Sequence, residues 1–96
     1  MKRVRWTAPA LADLDSIQDY VAERSTAAAF KLVNDILDRT DALLAINPEL
    51  GRPGRVKGTR ELVLSNTAYI VAYQLREAVE ILAVMHGARE WPESFD

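Results

Sequence analysis

Two hydrophobic rhythms divide this chain of 96 residues. In the first half, apolar side chains return every three or four positions, which gathers them on one stripe of a helix. Leu11, Leu14, Ile17 and Val21 define a first helix. Ala29, Leu32, Val33, Ile36, Leu37, Leu43 and Leu44 define a second. Thr7 is placed to cap the first, with Pro9 in its opening turn. Ser25 or Thr26 is placed to cap the second, after a break at Glu23-Arg24-Ser25, and Asn47-Pro48 ends it. So short a connection predicts an antiparallel helical hairpin. Asp13, Asp15 and Asp19 fall mainly off the apolar stripe and suit the early turns of a helix dipole.

In the second half the rhythm shortens. Arg60 to Ser65, Tyr69 to Leu75 and Val79 to His86 are rich in β-prone residues and predict three strands. Asn66-Thr67 and Arg76-Glu77-Ala78 are the turns between them, so the strands form an antiparallel meander. In the middle strand Val71, Tyr73 and Leu75 share one face, Ile70, Ala72 and Gln74 the other. The last strand is apolar on both faces near Leu82 to Met85, which predicts a central place. Arg3 to Trp6 alternates charged and apolar residues and reads as a short edge strand. A helical hairpin covering one face of an antiparallel sheet gives an α+β two-layer fold. The length suits a single domain over residues 1–96.

Between the halves lies GRPGRVKGTRELV, residues 51–63. Gly51, Pro53 and Gly54 break any helix. Arg52, Arg55, Lys57 and Arg60 follow closely, opposed locally by Glu61 alone. A basic loop fixed at the end of a strand is a common place for binding residues. The whole chain nonetheless carries a formal charge of −2, unlike a general nucleic-acid binder, which is clearly basic. The absence of cysteine excludes disulfides, a thiolate metal site and a Cys nucleophile. With one His besides, neither a metal nor a cofactor is expected. MKRVRWTAPA has no apolar run after its cations, so it does not read as a secretory signal. No stretch approaches a membrane span, and the cytoplasm is the expected compartment.

Each candidate site residue has a bland reading beside the functional one. Arg52, Arg55, Lys57 and Arg60 form either a solvated loop or a contact surface for phosphates or an acidic partner. Arg60 can also anchor the C-terminal tail through a carboxylate. His86, at a strand end before Gly87, is either a general acid or base or a structural side chain bonded to the backbone. Arg89 either presents its fork to a phosphate or carboxylate or pairs with Glu61 or Glu90. Arg60 and Arg89 are expected at neighbouring ends of the meander. Trp91 and Pro92 are expected to pack the tail onto the sheet, and Trp6 and Tyr73 to be core or core-edge aromatics.

The GTREL, YIVAY and HGAREWP stretches together resemble the ParE/RelE superfamily of bacterial toxin–antitoxin toxins. The resemblance runs from Val4-Arg5-Trp6 to Pro92 and implies a strand, a helical hairpin and an antiparallel meander in that order. It implies a growth-inhibiting toxin, linked with plasmid stabilization, that a co-encoded antitoxin neutralises. The branch that cleaves mRNA on the ribosome carries basic residues in the first two meander strands, an Arg after the last strand and often a tail Tyr. Those strand positions fall here on Glu61, Val63 and Ile70, none of them basic. Arg89 matches the late Arg, and the tail position falls near Phe95, which has no hydroxyl. Only His86, Arg60 and Arg89 remain as weak catalytic candidates. The ParE branch, associated with poisoning DNA gyrase by protein contact, is the nearer match. A ribosome-dependent mRNA endonuclease and an inactive binding module of the same fold are the alternatives.

Overall fold

The computed structural model describes residues 1–95. The elements are β1 (Val4–Trp6), α1 (Ala8–Ala22), α2 (Thr26–Ile46), β2 (Arg52–Pro53), β3 (Arg60–Val63), β4 (Tyr69–Leu75) and β5 (Val79–His86). Both helices start at the expected caps. Thr7 Oγ1 accepts from the Ala10 N–H at 3.4 Å and Ser25 Oγ from the Ala28 N–H at 3.1 Å, each satisfying an otherwise orphaned amide of a first turn.

The five strands lie in the order β1-β5-β4-β3-β2. The β3-β4-β5 meander is antiparallel as expected. Its third strand is interior, but the centre of the sheet is β4, because β1 adds outside β5. That pairing is parallel, Val4 opposite Val79 and Trp6 opposite Ile81, so the sheet is mixed. At the other edge, Arg52 and Pro53, expected in a loop, pair with Glu61 and Arg60 as β2. Proline lacks a ladder donor and is tolerated on such an edge.

The hairpin covers one sheet face. Leu14, Ile17, Ile36 and Leu44 pack on Leu62, Leu64, Val71, Tyr73, Val79 and Ile81. Tyr73 is wholly buried there. Its hydroxyl donates to the Pro48 carbonyl and accepts from the Gly51 N–H, both at 2.8 Å, which ties the end of α2 to the sheet. Gly51 must be glycine for this approach, since a Cβ would sit 2.7 Å from the Tyr73 ring and 2.9 Å from the Glu61 carbonyl. On the opposite face Ala72 and Ala83 lie side by side and buried. The tail meets the basic loop: the Arg55 guanidinium stacks 4.3 Å from the Trp91 ring centre, and Phe95 meets Trp91 edge-on, while Pro92, expected to pack on the sheet, is exposed.

Candidate functional site

Glu61 organises the basic loop. It stands opposite Ala72 in the ladder, hence on the face away from the helices, with a side chain only 1% exposed. Its Oε1 accepts from Arg52 Nε and Nη2 at 3.2 and 3.0 Å, and Arg55 Nε lies 3.6 Å from the same oxygen. Its Oε2 accepts from the Arg55 backbone N–H at 2.7 Å. A buried carboxylate needs such partners, because desolvation otherwise disfavours its charge. Two of the four loop cations therefore serve an internal anion. Lys57 sits beside Gly58, whose φ is +81°, at an exposed turn and in no ion pair among the described residues.

Arg60 anchors a loop, but not the C-terminal tail as foreseen. Nη1 donates to the Gly51 carbonyl at 2.8 Å and to the Glu49 carbonyl at 3.3 Å, and Nη2 lies 3.7 Å from the Glu49 carboxylate. Arg60 and Tyr73 thus hold the same 48–51 segment.

Arg89 lies elsewhere. Arg60 pairs with Tyr73 at one end of β4, and His86 pairs with Tyr69 at the other. Four residues along the strand and two strand spacings across it separate their Cα atoms by about 16 Å. The expectation of neighbouring ends is corrected on this point. Strands that alternate in direction put the start of β3 and the end of β5 at opposite ends of the sheet. Nor does Arg89 form an ion pair with Glu61 or Glu90; it is exposed and unpaired among the described residues.

At that second end an open cleft of about 720 Å³ separates α1 from the sheet, lined among others by Asp13, Ser16, Tyr20, Tyr69, His86 and Arg89. His86 meets Tyr69 edge-to-face at 5.6 Å between ring centres, and its Nδ1 accepts from the Ala88 N–H at 3.1 Å. This is the backbone bond of its structural reading. It leaves Nε2 to carry the proton of a neutral ring. Burial pushes the Tyr69 hydroxyl above its usual range, Tyr20 adds to the rise and Arg89 opposes it, so Tyr69 stays protonated at neutral pH. Asp13, read as lying off the apolar stripe, instead reaches the sheet and accepts from the Val84 N–H at 2.9 Å. Burial raises its carboxyl, against the lowering effects of that bond and of Arg89.

Asp13, Tyr20, Tyr69 and Glu61 are the residues at these two ends that pattern reading passed over. For Asp13 the available signal was its place one residue before Leu14, on the flank of the stripe. For Glu61 it was a single acid inside a basic run.

Residues 4–91 match the family model described as ParE toxin of type II toxin-antitoxin system, parDE. This chain belongs to that family. The protein Y4kP of Sinorhizobium fredii is 48% identical over 92 residues, covering 96% of this chain and 95% of that protein. Toxin RelE2 of Caulobacter vibrioides is 37% identical over 90 residues, covering 93% and 99%. Among solved structures, one of the chromosomal ParDE toxin–antitoxin system of P. aeruginosa is similar with a TM-score of 0.79 and 32% identity, covering 90% of this chain and 96% of that one. The toxin–antitoxin complex RelBE2 of Mycobacterium tuberculosis shares the fold, with a TM-score of 0.67 at 22% identity and coverage of 88% and 90%. The chain is thus a type II toxin–antitoxin toxin of the ParE/RelE fold. No helix among the described residues is long and apolar enough to cross a membrane.

Proposed function

We propose that this toxin arrests growth from the cytoplasm by gripping DNA gyrase through protein contact, and that a cognate antitoxin holds it inactive. The antitoxin is supported by the family and by structural neighbours that are toxin–antitoxin assemblies. The gyrase target rests on the ParE resemblance and on one observation: Arg60, one of the three catalytic candidates, does not converge with His86 and Arg89.

Cleavage beside a 2′-hydroxyl needs a base, an acid and positive charge at one phosphate. Arg60 is about 16 Å from His86 at the Cα atoms and is committed to carbonyls of the 49–51 loop. Arg52 and Arg55 face Glu61. Lys57 and Arg89 remain for contacts with a target, at opposite ends of the sheet.

A second reading has one observation in its favour, since His86, Arg89 and Tyr69 do share a cleft. Ribosome-dependent mRNA cleavage would use them. The two readings part on His86→Gln, which removes the one imidazole of the chain and with it an acid–base group. Purified wild-type and His86→Gln proteins are compared in gyrase supercoiling and in mRNA cleavage on programmed ribosomes. Inhibition of gyrase by both proteins, within about threefold, is expected of a binding inhibitor. Ribosomal cleavage that drops roughly a hundredfold in the variant, with gyrase untouched by wild type, would overturn the gyrase reading. Growth that continues on expression would leave only an inactive binding module.

A further inference from the structure

β5 is longer than the strand that covers its outer edge. β1 pairs with it from Val79 to Ile81. The chain then turns away at Thr7, whose N–H and Oγ1 both donate to the Ile81 carbonyl at 3.1 and 2.7 Å. Beyond Ile81 the outer edge of β5 runs on to His86 beside α1, where it faces the cleft.

The phase of that edge is fixed by two hydrogen bonds. The Gly87 N–H points inward, donating to the Ala68 carbonyl at 2.8 Å. The Val84 N–H points outward to Asp13. Alternation then sends the Val84 carbonyl and the His86 N–H outward as well. Neither is bonded to another backbone group among the described residues. The His86 carbonyl is already taken by the Arg89 N–H at 3.0 Å.

This pattern selects a direction. An antiparallel neighbour exchanges both bonds with a single residue. Here it would need the Val84 N–H or the His86 carbonyl, and both are occupied. A parallel neighbour needs only what is free. One of its residues, opposite Met85, would donate its N–H to the Val84 carbonyl and accept from the His86 N–H. β1 already runs parallel to β5 on this edge, so such a segment would continue its line.

We propose that an extended segment of the antitoxin adds to the sheet here, parallel to β5 and opposite Met85, with a carboxylate at its C-terminal side meeting Arg89. The proposal rests on the antitoxin reading above. The side chains along the cleft fit this occupant. Ile17 and Tyr69 supply an apolar wall, Tyr20 stands 70% exposed at the rim, and Arg89 has no ion-pair partner among the described residues. A parallel segment runs toward Arg89 with its C-terminal end, which puts the acidic residue one or two positions after the paired one. A polyanion fits less well, because the carboxylate of Asp13 lines the same cleft. Backbone pairing of this kind supplies affinity, and side chains at alternate positions supply selectivity.

The test uses the complex of this chain with the protein encoded by the adjoining reading frame. Amide exchange is followed residue by residue by NMR. The His86 amide, open in the free toxin, should slow by roughly a hundredfold or more in the complex. The Val84 amide, bonded to Asp13 in both states, should change far less. Arg89→Glu should weaken the complex by about tenfold or more, and Arg76→Glu at the opposite end of the sheet should not. A stable complex in which the His86 amide keeps its free rate would refute the strand addition and leave the antitoxin reading intact. So would an Arg89→Glu toxin that binds like wild type. Failure to form any complex would remove both readings. Protection of His86 by a short RNA and not by the antitoxin would assign the cleft to nucleic acid and overturn the proposal.

Discussion

Replacing Glu61 by Ala should be among the most damaging single changes in the basic loop, and the reason is an amide rather than an ion pair. The carboxylate accepts from the Arg55 N–H at 2.7 Å. Losing a charge-assisted bond to a part-buried amide costs about 1.5–3 kcal/mol. Truncation also opens a void beside Ala72, for about 1 kcal/mol more. The arginines contribute less, because their side chains are 53% and 45% exposed and regain water when the anion goes. The sum is about 3 kcal/mol, or a fall in Tm of roughly 12–24 °C for a domain of this size. Arg52→Ala should cost under about 1 kcal/mol. Arg55→Ala should cost somewhat more, since it also loses the stack on Trp91. Glu61→Gln keeps the shape and an acceptor and should fall between. Thermal melts by circular dichroism measure all four variants. A Glu61→Ala protein melting within about 4 °C of wild type would show that the carboxylate is merely solvated. If Arg52→Ala were as damaging as Glu61→Ala, the stabilisation would lie in the ion pair, and the assignment to the amide would be wrong.

Tyr73→Phe should lose about 1–3 kcal/mol by stranding the buried Gly51 N–H, measured by denaturant unfolding. Arg60→Glu should lower Tm because its bonds to the Glu49 and Gly51 carbonyls are lost, whereas Arg89→Glu should leave the melt near wild type, as exposed substitutions usually do. The Asp13 carboxyl is raised above 3.8 in the folded state, chiefly by burial. Between 3.8 and the raised value the folded protein binds more protons than the unfolded chain, so this group's contribution to stability falls as pH rises. Asp13→Asn keeps an acceptor for the Val84 N–H and should flatten the dependence of Tm on pH above about pH 4; an unchanged dependence would show that other groups carry it.

The helices were legible because each begins at a side chain with a specific bond to make. Thr7 and Ser25 occupy those caps, and the stripes at Leu14, Ile17, Ile36 and Leu44 do face the sheet. The meander was legible because turns of two or three residues leave adjacent strands little choice of partner. β1 was readable as an edge strand, but its partner and direction were not. A three-residue strand separated from β5 by two helices is placed by how the hairpin packs, which no local pattern encodes. Glu61 shows the same limit from the polar side. A single acid in a basic run reads as charge balance, and its burial appears only when β2 pairs with β3 and brings Arg52 opposite it. His86 and Arg89 were chosen for their chemistry, and their shared cleft follows the expected strand end. Its other wall comes from α1, through Asp13 and Tyr20, two residues that the helical stripe did not mark.

The distribution of bonds bears on which end of the molecule meets a target. A side chain already holding good hydrogen bonds gains little by exchanging them for a ligand's, since the net value of each bond is the difference between two similar terms. Arg60 holds two loop carbonyls and approaches the Glu49 carboxylate, and Arg52 and Arg55 hold a buried carboxylate. For a ligand to recruit any of them, the 48–61 loop would have to loosen. Lys57 and Arg89 carry no such commitment among the described residues. A contact made with Lys57 or Arg89 leaves the fold unchanged, whereas one made with Arg52, Arg55 or Arg60 draws on its stability. Partner binding at the cleft end should therefore leave the Arg55 amide as protected as in the free toxin.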